Sequence, residues 1–198
     1  MLISEKHKYI FISIPKTGTT AIQSFLQEND DSSVLNWITI KAKRIKIDEY
    51  VKTWKLMKIM GDEYDKYTVF TFIRDPYARS VSGYHFYKNG NTLRSHYFIR
   101  NFMAQLNVLI TKILPFIMWS ILKPNKKLVD YFFDKNGQEL IDLVGKTENM
   151  NKDLSSICNL LGIPLENVSV PVKNSSRHST VENFFTNKWH EKLYRKKS

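Results

Sequence analysis

Cysteine occurs once in this chain of 198 residues, at Cys158. A single thiol cannot build an intrachain disulfide framework or a multi-cysteine zinc site. Cys158 falls on the apolar face of a helical pattern, which favours a small core residue over a nucleophile. A lack of disulfides fits the cytoplasm but leaves other compartments open. Glycine (7) and proline (6) are scarce, so collagen-like, linker-like and low-complexity tracts are excluded. Internal repeats are absent as well. The N-terminal stretch Met-Leu-Ile-Ser-Glu-Lys-His-Lys has neither a long apolar segment nor a cleavage signature. No cluster of acidic residues with metal-ligand spacing stands out, and no metal is expected.

Long hydrophobic runs are missing too. The longest apolar tract, Leu106 to Leu122, falls short of the ~20 residues of a spanning helix, and Asn107, Lys112 and Pro115 interrupt it. It reads as a buried helix or an apolar lid over a site, with interfacial membrane contact as the remaining reading. No transmembrane segment is expected.

What the chain does have is hydrophobic residues at 42% and aromatics at 13%, enough to rule out disorder and to fill the core of one domain. The expectation is a single domain over residues 1–198, with a basic tail from about residue 186. Thirty Lys and Arg stand against nineteen Asp and Glu, a net charge of +11. That field favours anionic partners, although a lysine-rich solvated surface accounts for most individual lysines. Basic patches interleaved with aromatics, as nucleic-acid modules use them, are not evident outside the tail, so no nucleic-acid partner is expected.

The apolar run Tyr9–Ile14 predicts a strand buried on both faces. After Pro15-Lys-Thr-Gly18 the period changes, and Ala21, Ile22, Phe25 and Leu26 share one helical face. Asn29–Ser33 breaks that helix. Val34–Tyr67 reads as lysine-rich and irregular, with helix around Ile47–Met60. A second strand is predicted at Thr68–Ile73, and Pro76 suits the first turn of a following helix. Lys88–Asn91 reads as a turn and Leu128–Phe133 as helical. Leu143–Thr147 is a further strand, and Leu154, Ile157, Cys158 and Leu161 mark a last helix, with Asn151 as a candidate cap. Alternating strands and helices imply an α/β domain with a central, mainly parallel sheet flanked by helices.

Two segments carry chemistry. Pro15-Lys-Thr-Gly-Thr-Thr20 lies between a buried strand and a helix N-terminus, where backbone N–H groups and the helix dipole favour an anion. Lys16 adds an ammonium, and Thr17, Thr19 and Thr20 add hydroxyls. The lysine precedes the only glycine, the reverse of a Walker A loop, which disfavours ATP or GTP hydrolysis of the usual kind. Arg74-Asp-Pro-Tyr-Ala-Arg-Ser-Val-Ser82 likewise lies at a strand end entering a helix. Strand ends of a parallel sheet gather on one ligand-binding edge, so Arg74 and Ser82 are candidates for a second phosphate.

Together, Ile14–Thr20 and Phe72–Tyr84 resemble the sulfotransferases that use 3′-phosphoadenosine-5′-phosphosulfate (PAPS), closest to the carbohydrate, Golgi-type branch. Val144-Gly-Lys-Thr-Glu-Asn149 with the helix after it is a third, weaker match. The resemblance implies a P-loop-kinase-like α/β fold. It implies that Lys16, Thr17, Gly18, Thr19 and Thr20 hold the 5′-phosphosulfate, and that Arg74 and Ser82 hold the 3′-phosphate. It further implies in-line sulfuryl transfer to a hydroxyl acceptor, for which a glycan is the leading choice, with Lys16 as the catalytic cation. An acidic glycan suits the +11 field. Such a protein would work in the Golgi lumen if eukaryotic and in the cytoplasm otherwise. The general base stays unassigned: no histidine lies between His7 and His85, and Asp48, Glu49, Asp62 and Glu63 carry no distinguishing motif. The family's adenine-contacting aromatic near the third element is replaced or displaced here, since Thr147 precedes Glu148. Asn174–His178 reads either as a loop over the nucleotide or as a polar turn. The alternative from another class is a non-catalytic anion- or nucleotide-binding protein of the same P-loop-like fold.

Overall fold

The computed structural model describes residues 1–40, 43–89, 102–122, 128–165 and 184. The turn beyond Asn89, Lys123–Lys126, Asn174–His178 and the basic tail lie outside the described residues. The chain forms two compact units, Met1–Arg74 with Leu128–Lys173, and Asp75–Lys127 with Asn174–Ser198.

The first unit is built on a five-stranded sheet in the order β3-β1-β2-β6-β7. Its strands are β1 (Leu2–Ser4), β2 (Tyr9–Ile12), β3 (Ser33–Leu35), β6 (Thr68–Ile73) and β7 (Leu143–Lys146). β2, β6 and β7 pair in parallel, whereas β1 is antiparallel to both β2 and β3. Four of the five strands therefore run in one direction, and β1 alone reverses the sheet. The fold is α/β with a mixed, mostly parallel sheet.

Two-residue alternation divides the core. Tyr9, Phe11, Phe70 and Phe72 pack with Ile22, Phe25 and Leu26 of α1 (Thr19–Asn29), and with Leu154, Ile157 and Cys158 from the last helix of the chain. Ile10, Ile12 and Val69 face the other way, onto Leu56 and Met60 of α2 (Thr53–Met60). They share that cluster with Tyr64 of the 3₁₀ turn Gly61–Lys66 and with Tyr131. Coverage on both faces explains why β2 and β6 read as continuous apolar runs.

The lysine-rich stretch expected to be irregular instead forms β3 and a separate hairpin of β4 (Trp37–Ile40) and β5 (Lys43–Lys46). Its charges are accommodated on an aromatic ring: the Arg44 guanidinium lies 4.7 Å from the centroid of Trp37, and the Lys46 ammonium 5.9 Å.

In the second unit, α3 (Pro76–Lys88) starts as expected, with the Asp75 carboxylate accepting from the Ala78 N–H at 2.8 Å. The apolar tract divides into α4 (Phe102–Ile113) and α5 (Phe116–Leu122), separated at Leu114-Pro115. Val81, Tyr84, Phe116 and Trp119 form this unit's own small core. The chain then returns to the first unit through α6 (Val129–Phe132) and β7, and ends its described helices with α7 (Met150–Leu160). Asn149 occupies the cap position of α7, so the candidate cap Asn151 is instead inside its first turn. A 3₁₀ turn at Thr147–Asn149 starts the helix earlier than the apolar spacing indicated.

Candidate functional site

Parallel pairing of β2, β6 and β7 places their carboxyl ends along one edge of the first unit. Lys16 follows β2, Arg74 follows β6 and Thr147 follows β7. The loop after β2 is tightly wound. Lys16 and Gly18 both adopt left-handed backbone, with φ of 71° and 78°. A non-glycine residue in that region stores strain, and such strain concentrates at functional positions. Glycine suits position 18 because it has no Cβ to be strained in that conformation.

The hydroxyls of Thr17 and Thr19 each donate to the Ile14 carbonyl at 2.9 Å. Their protons brace the turn in this conformation instead of pointing outward. Thr20 is exposed on the first turn of α1. The first N–H donations back into the helix come from Ala21 and Ile22, both to the Gly18 carbonyl. The amides of Thr19 and Thr20 precede these and have no intrahelical acceptor.

Lys16 and Arg74 act on one another. Burial lowers the Lys16 ammonium from its ordinary range, the positive charge of Arg74 lowers it further, and it reaches about 8. Both residues are half-buried, and an anion beside Lys16 would favour its charged form.

Thr147 is the residue that sequence reasoning missed. Its hydroxyl lies 3.0 Å from the Thr17 carbonyl and 2.9 Å from the Ile73 carbonyl. It thereby ties the loop after β2 to the residue before Arg74. Its neighbour is also anchored, since the Lys146 N–H donates to the Asp153 carboxylate of α7 at 2.8 Å. β7 can approach β6 this closely because residue 145 is glycine; a Cβ there would sit 2.5 Å from the Phe72 ring. The segment was legible as a weak motif, but one hydroxyl between two carbonyls leaves no trace in spacing.

Ser82 is buried on α3 in the second unit, on the same helix as the buried Arg79. His85, also on α3, is half-buried and stacks edge-on with Tyr84 and Phe184 at 5.5 and 5.4 Å. Cys158 is fully buried, and burial raises its thiol to about 12, so it remains a protonated core residue. A cleft of about 520 Å³ opens at the opposite edge of the sheet, lined by His7, Lys8, Thr68 and Leu143, away from the strand ends that carry Lys16 and Arg74.

A family model described as the sulfotransferase family matches residues 1–112, more than half of the chain, including both principal motifs. The chain belongs to the sulfotransferase family. Comparisons with curated proteins and with solved structures give no match. Membership supports sulfotransfer as the activity and a hydroxyl-bearing molecule as the acceptor. The third element, around Thr147, lies beyond the matched residues.

Proposed function

We propose that this sulfotransferase uses PAPS as donor and a carbohydrate hydroxyl as acceptor, on a P-loop-like sheet. The observation that carries the donor assignment is the pairing of Lys16 with Arg74 at the carboxyl ends of adjacent parallel strands. The residues present fit an adenosine bisphosphate group. Gly18, in left-handed backbone and without a Cβ, allows close backbone approach, helix α1 presents the amides of its first turn, and the cations Lys16 and Arg74 are near neighbours. Lys16, Thr17, Gly18, Thr19 and Thr20 would hold the 5′ end, and Arg74 and Ser82 the 3′-phosphate. When bound, the donor supplies the sulfuryl group that passes to the acceptor hydroxyl, leaving adenosine 3′,5′-bisphosphate.

The protein's own contribution is electrostatic and positional. Lys16, held in a strained turn, fixes a positive charge where negative charge develops on the leaving side. Thr17 and Thr19, through the Ile14 carbonyl, keep that turn from relaxing. Thr147 couples the loop to the strand bearing Arg74, so the two phosphate contacts keep a fixed separation.

The test is calorimetric binding of adenosine 3′,5′-bisphosphate against adenosine 5′-monophosphate at one salt concentration. The expected result is strong preference for the bisphosphate. Arg74→Ala should lower bisphosphate affinity about tenfold or more while leaving the monophosphate nearly unchanged, as loss of a charge-assisted contact requires. No preference in the unaltered protein would make a non-catalytic anion-binding protein the better account.

A further inference from the structure

The second unit carries an apolar surface on two consecutive helices. Helices α4 and α5 bury one side, through Val108, Thr111, Phe116, Trp119 and Ser120. A helix at the surface of an ordinary domain then turns a polar side to water. Here the outward positions are also apolar. Leu109 is 54% exposed, Ile113 70%, Met118 51% and Leu122 60%, with Ile117 beside them. Single exposed apolar residues are commonplace, but large ones repeated along two consecutive helices mark an interaction surface. The tract expected to be a buried helix or an apolar lid over a site is thus buried on one side only.

The charge pattern selects the occupant. None of the chain's nineteen acidic residues lies between Asp75 and Asp130, an interval that holds eight of its thirty Lys and Arg. One of these, Lys112, is exposed and immediately precedes Ile113. An anionic polysaccharide would satisfy the lysines but leave leucine, isoleucine and methionine in water. An apolar protein partner would bury the apolar residues but would not require an acid-free stretch. A lipid surface with anionic headgroups meets both demands: acyl chains receive the apolar side chains, and lysines extend to the phosphates. No helix among the described residues is long and apolar enough to cross a membrane, so the contact would lie along the surface.

We propose that the outward face of α4 and α5 docks the protein onto an anionic lipid bilayer, with Leu109, Ile113, Met118 and Leu122 entering the headgroup boundary and the exposed Lys112 beside them meeting the lipid phosphates. Such docking is independent of the donor assignment.

The experiment is sedimentation of the full chain with vesicles of phosphatidylcholine alone, or with about 30 mol % phosphatidylserine. Binding is expected to the anionic vesicles only, and to fall steeply as salt is raised. The double variant Ile113→Glu with Leu122→Glu places carboxylates at two largely exposed positions and should keep the wild-type circular dichroism melt. It should lose at least about tenfold in vesicle affinity, because apolar insertion is replaced by repulsion. Absence of binding, equal binding to neutral vesicles, or binding unchanged in the variant would each overturn the proposal. So would a soluble dimer of the unaltered chain that the glutamates dissociate, since the face would then belong to a second copy.

Discussion

The first compact unit holds sixteen Lys and Arg against sixteen Asp and Glu, while the second holds fourteen against three. The whole net charge of +11 therefore belongs to the second unit. Yet the loop and strand ends with the character of a phosphate site are in the neutral one. Net charge and anion recognition are separate properties of this chain. In the first unit the positive potential is local, produced by Lys16 and Arg74 against one another within a balanced surface. In the second it is spread along the sequence, with Lys88 and Lys112 exposed on α3 and α4. A diffuse field raises encounter rates and selects surfaces, whereas a half-buried pair of cations selects a group. The acidic-glycan preference drawn from +11 thus concerns a different part of the sequence from Lys16 and Arg74, the residues proposed for the donor.

The sharpest way to break this contrast is to remove the local charge. Lys16→Ala deletes one of thirty basic residues. It should still lower turnover by on the order of 10²–10³-fold, with a smaller loss of bisphosphate affinity, because its contact strengthens as charge develops. Steady-state rates alongside calorimetry make the comparison. Unchanged turnover would remove Lys16 from the chemistry.

The next effect is in pH. Lys16 is depressed to about 8 in the free protein, and a bound dianion would favour its charged form again. Below pH 8 the ammonium is already present, so affinity for the bisphosphate should be flat in that range. Above pH 8 binding must take up a proton, and affinity should fall by about tenfold per unit until the bound-state value is reached. The same group acts on stability with the opposite sign. Its folded value lies below the unfolded 10.5, so the unfolded chain binds more protons between the two, and the free protein gains stability from Lys16 as pH rises through that window. Calorimetry in buffers of differing ionisation enthalpy would detect the proton uptake; none at pH 9 would mean that Lys16 does not face the ligand.

How far the sequence disclosed this arrangement depends on the kind of signal. β2 and β6 were legible because both their faces are covered, which leaves long apolar runs, and the loop after β2 was legible because its glycine and lysine sit at a change of period. β1 and the β4–β5 hairpin were not, since β1 is short and the hairpin's lysines and arginine rest on Trp37, a contact that composition does not encode. Thr147 was hidden for a related reason: its partners, Thr17 and Ile73, are 130 and 74 residues distant and offer only backbone carbonyls. Division into a neutral and a basic unit was equally invisible, because residues 174–198 join Asp75–Lys127 across the intervening return to the sheet.

Thr147 provides a smaller, more specific test of the neutral unit. Thr147→Val keeps the shape but removes the hydroxyl that lies between the two carbonyls. Stability in urea should fall by about 1–2 kcal/mol, the range for a partly buried hydrogen bond lost to an apolar group. Bisphosphate affinity should fall with it, because loop and strand end are no longer joined, while Thr147→Ser should behave like the unaltered protein. Loss of stability with full affinity would make Thr147 a structural residue only.

The smallest expected effect decides whether the contrast is real. Lys112→Glu changes the charge of the basic unit by two, at an exposed position on α4. Exposed charges act through a field that salt screens over about 8 Å at physiological ionic strength, and singly they contribute little. Bisphosphate affinity at that ionic strength should therefore stay within about twofold of the unaltered protein, although Lys16→Ala alters charge by only half as much. At low salt the gap between variant and parent should widen, as a diffuse field requires. A large loss that persists at high salt would mean that the second unit contributes directly to the nucleotide site, and that the two kinds of positive charge form one.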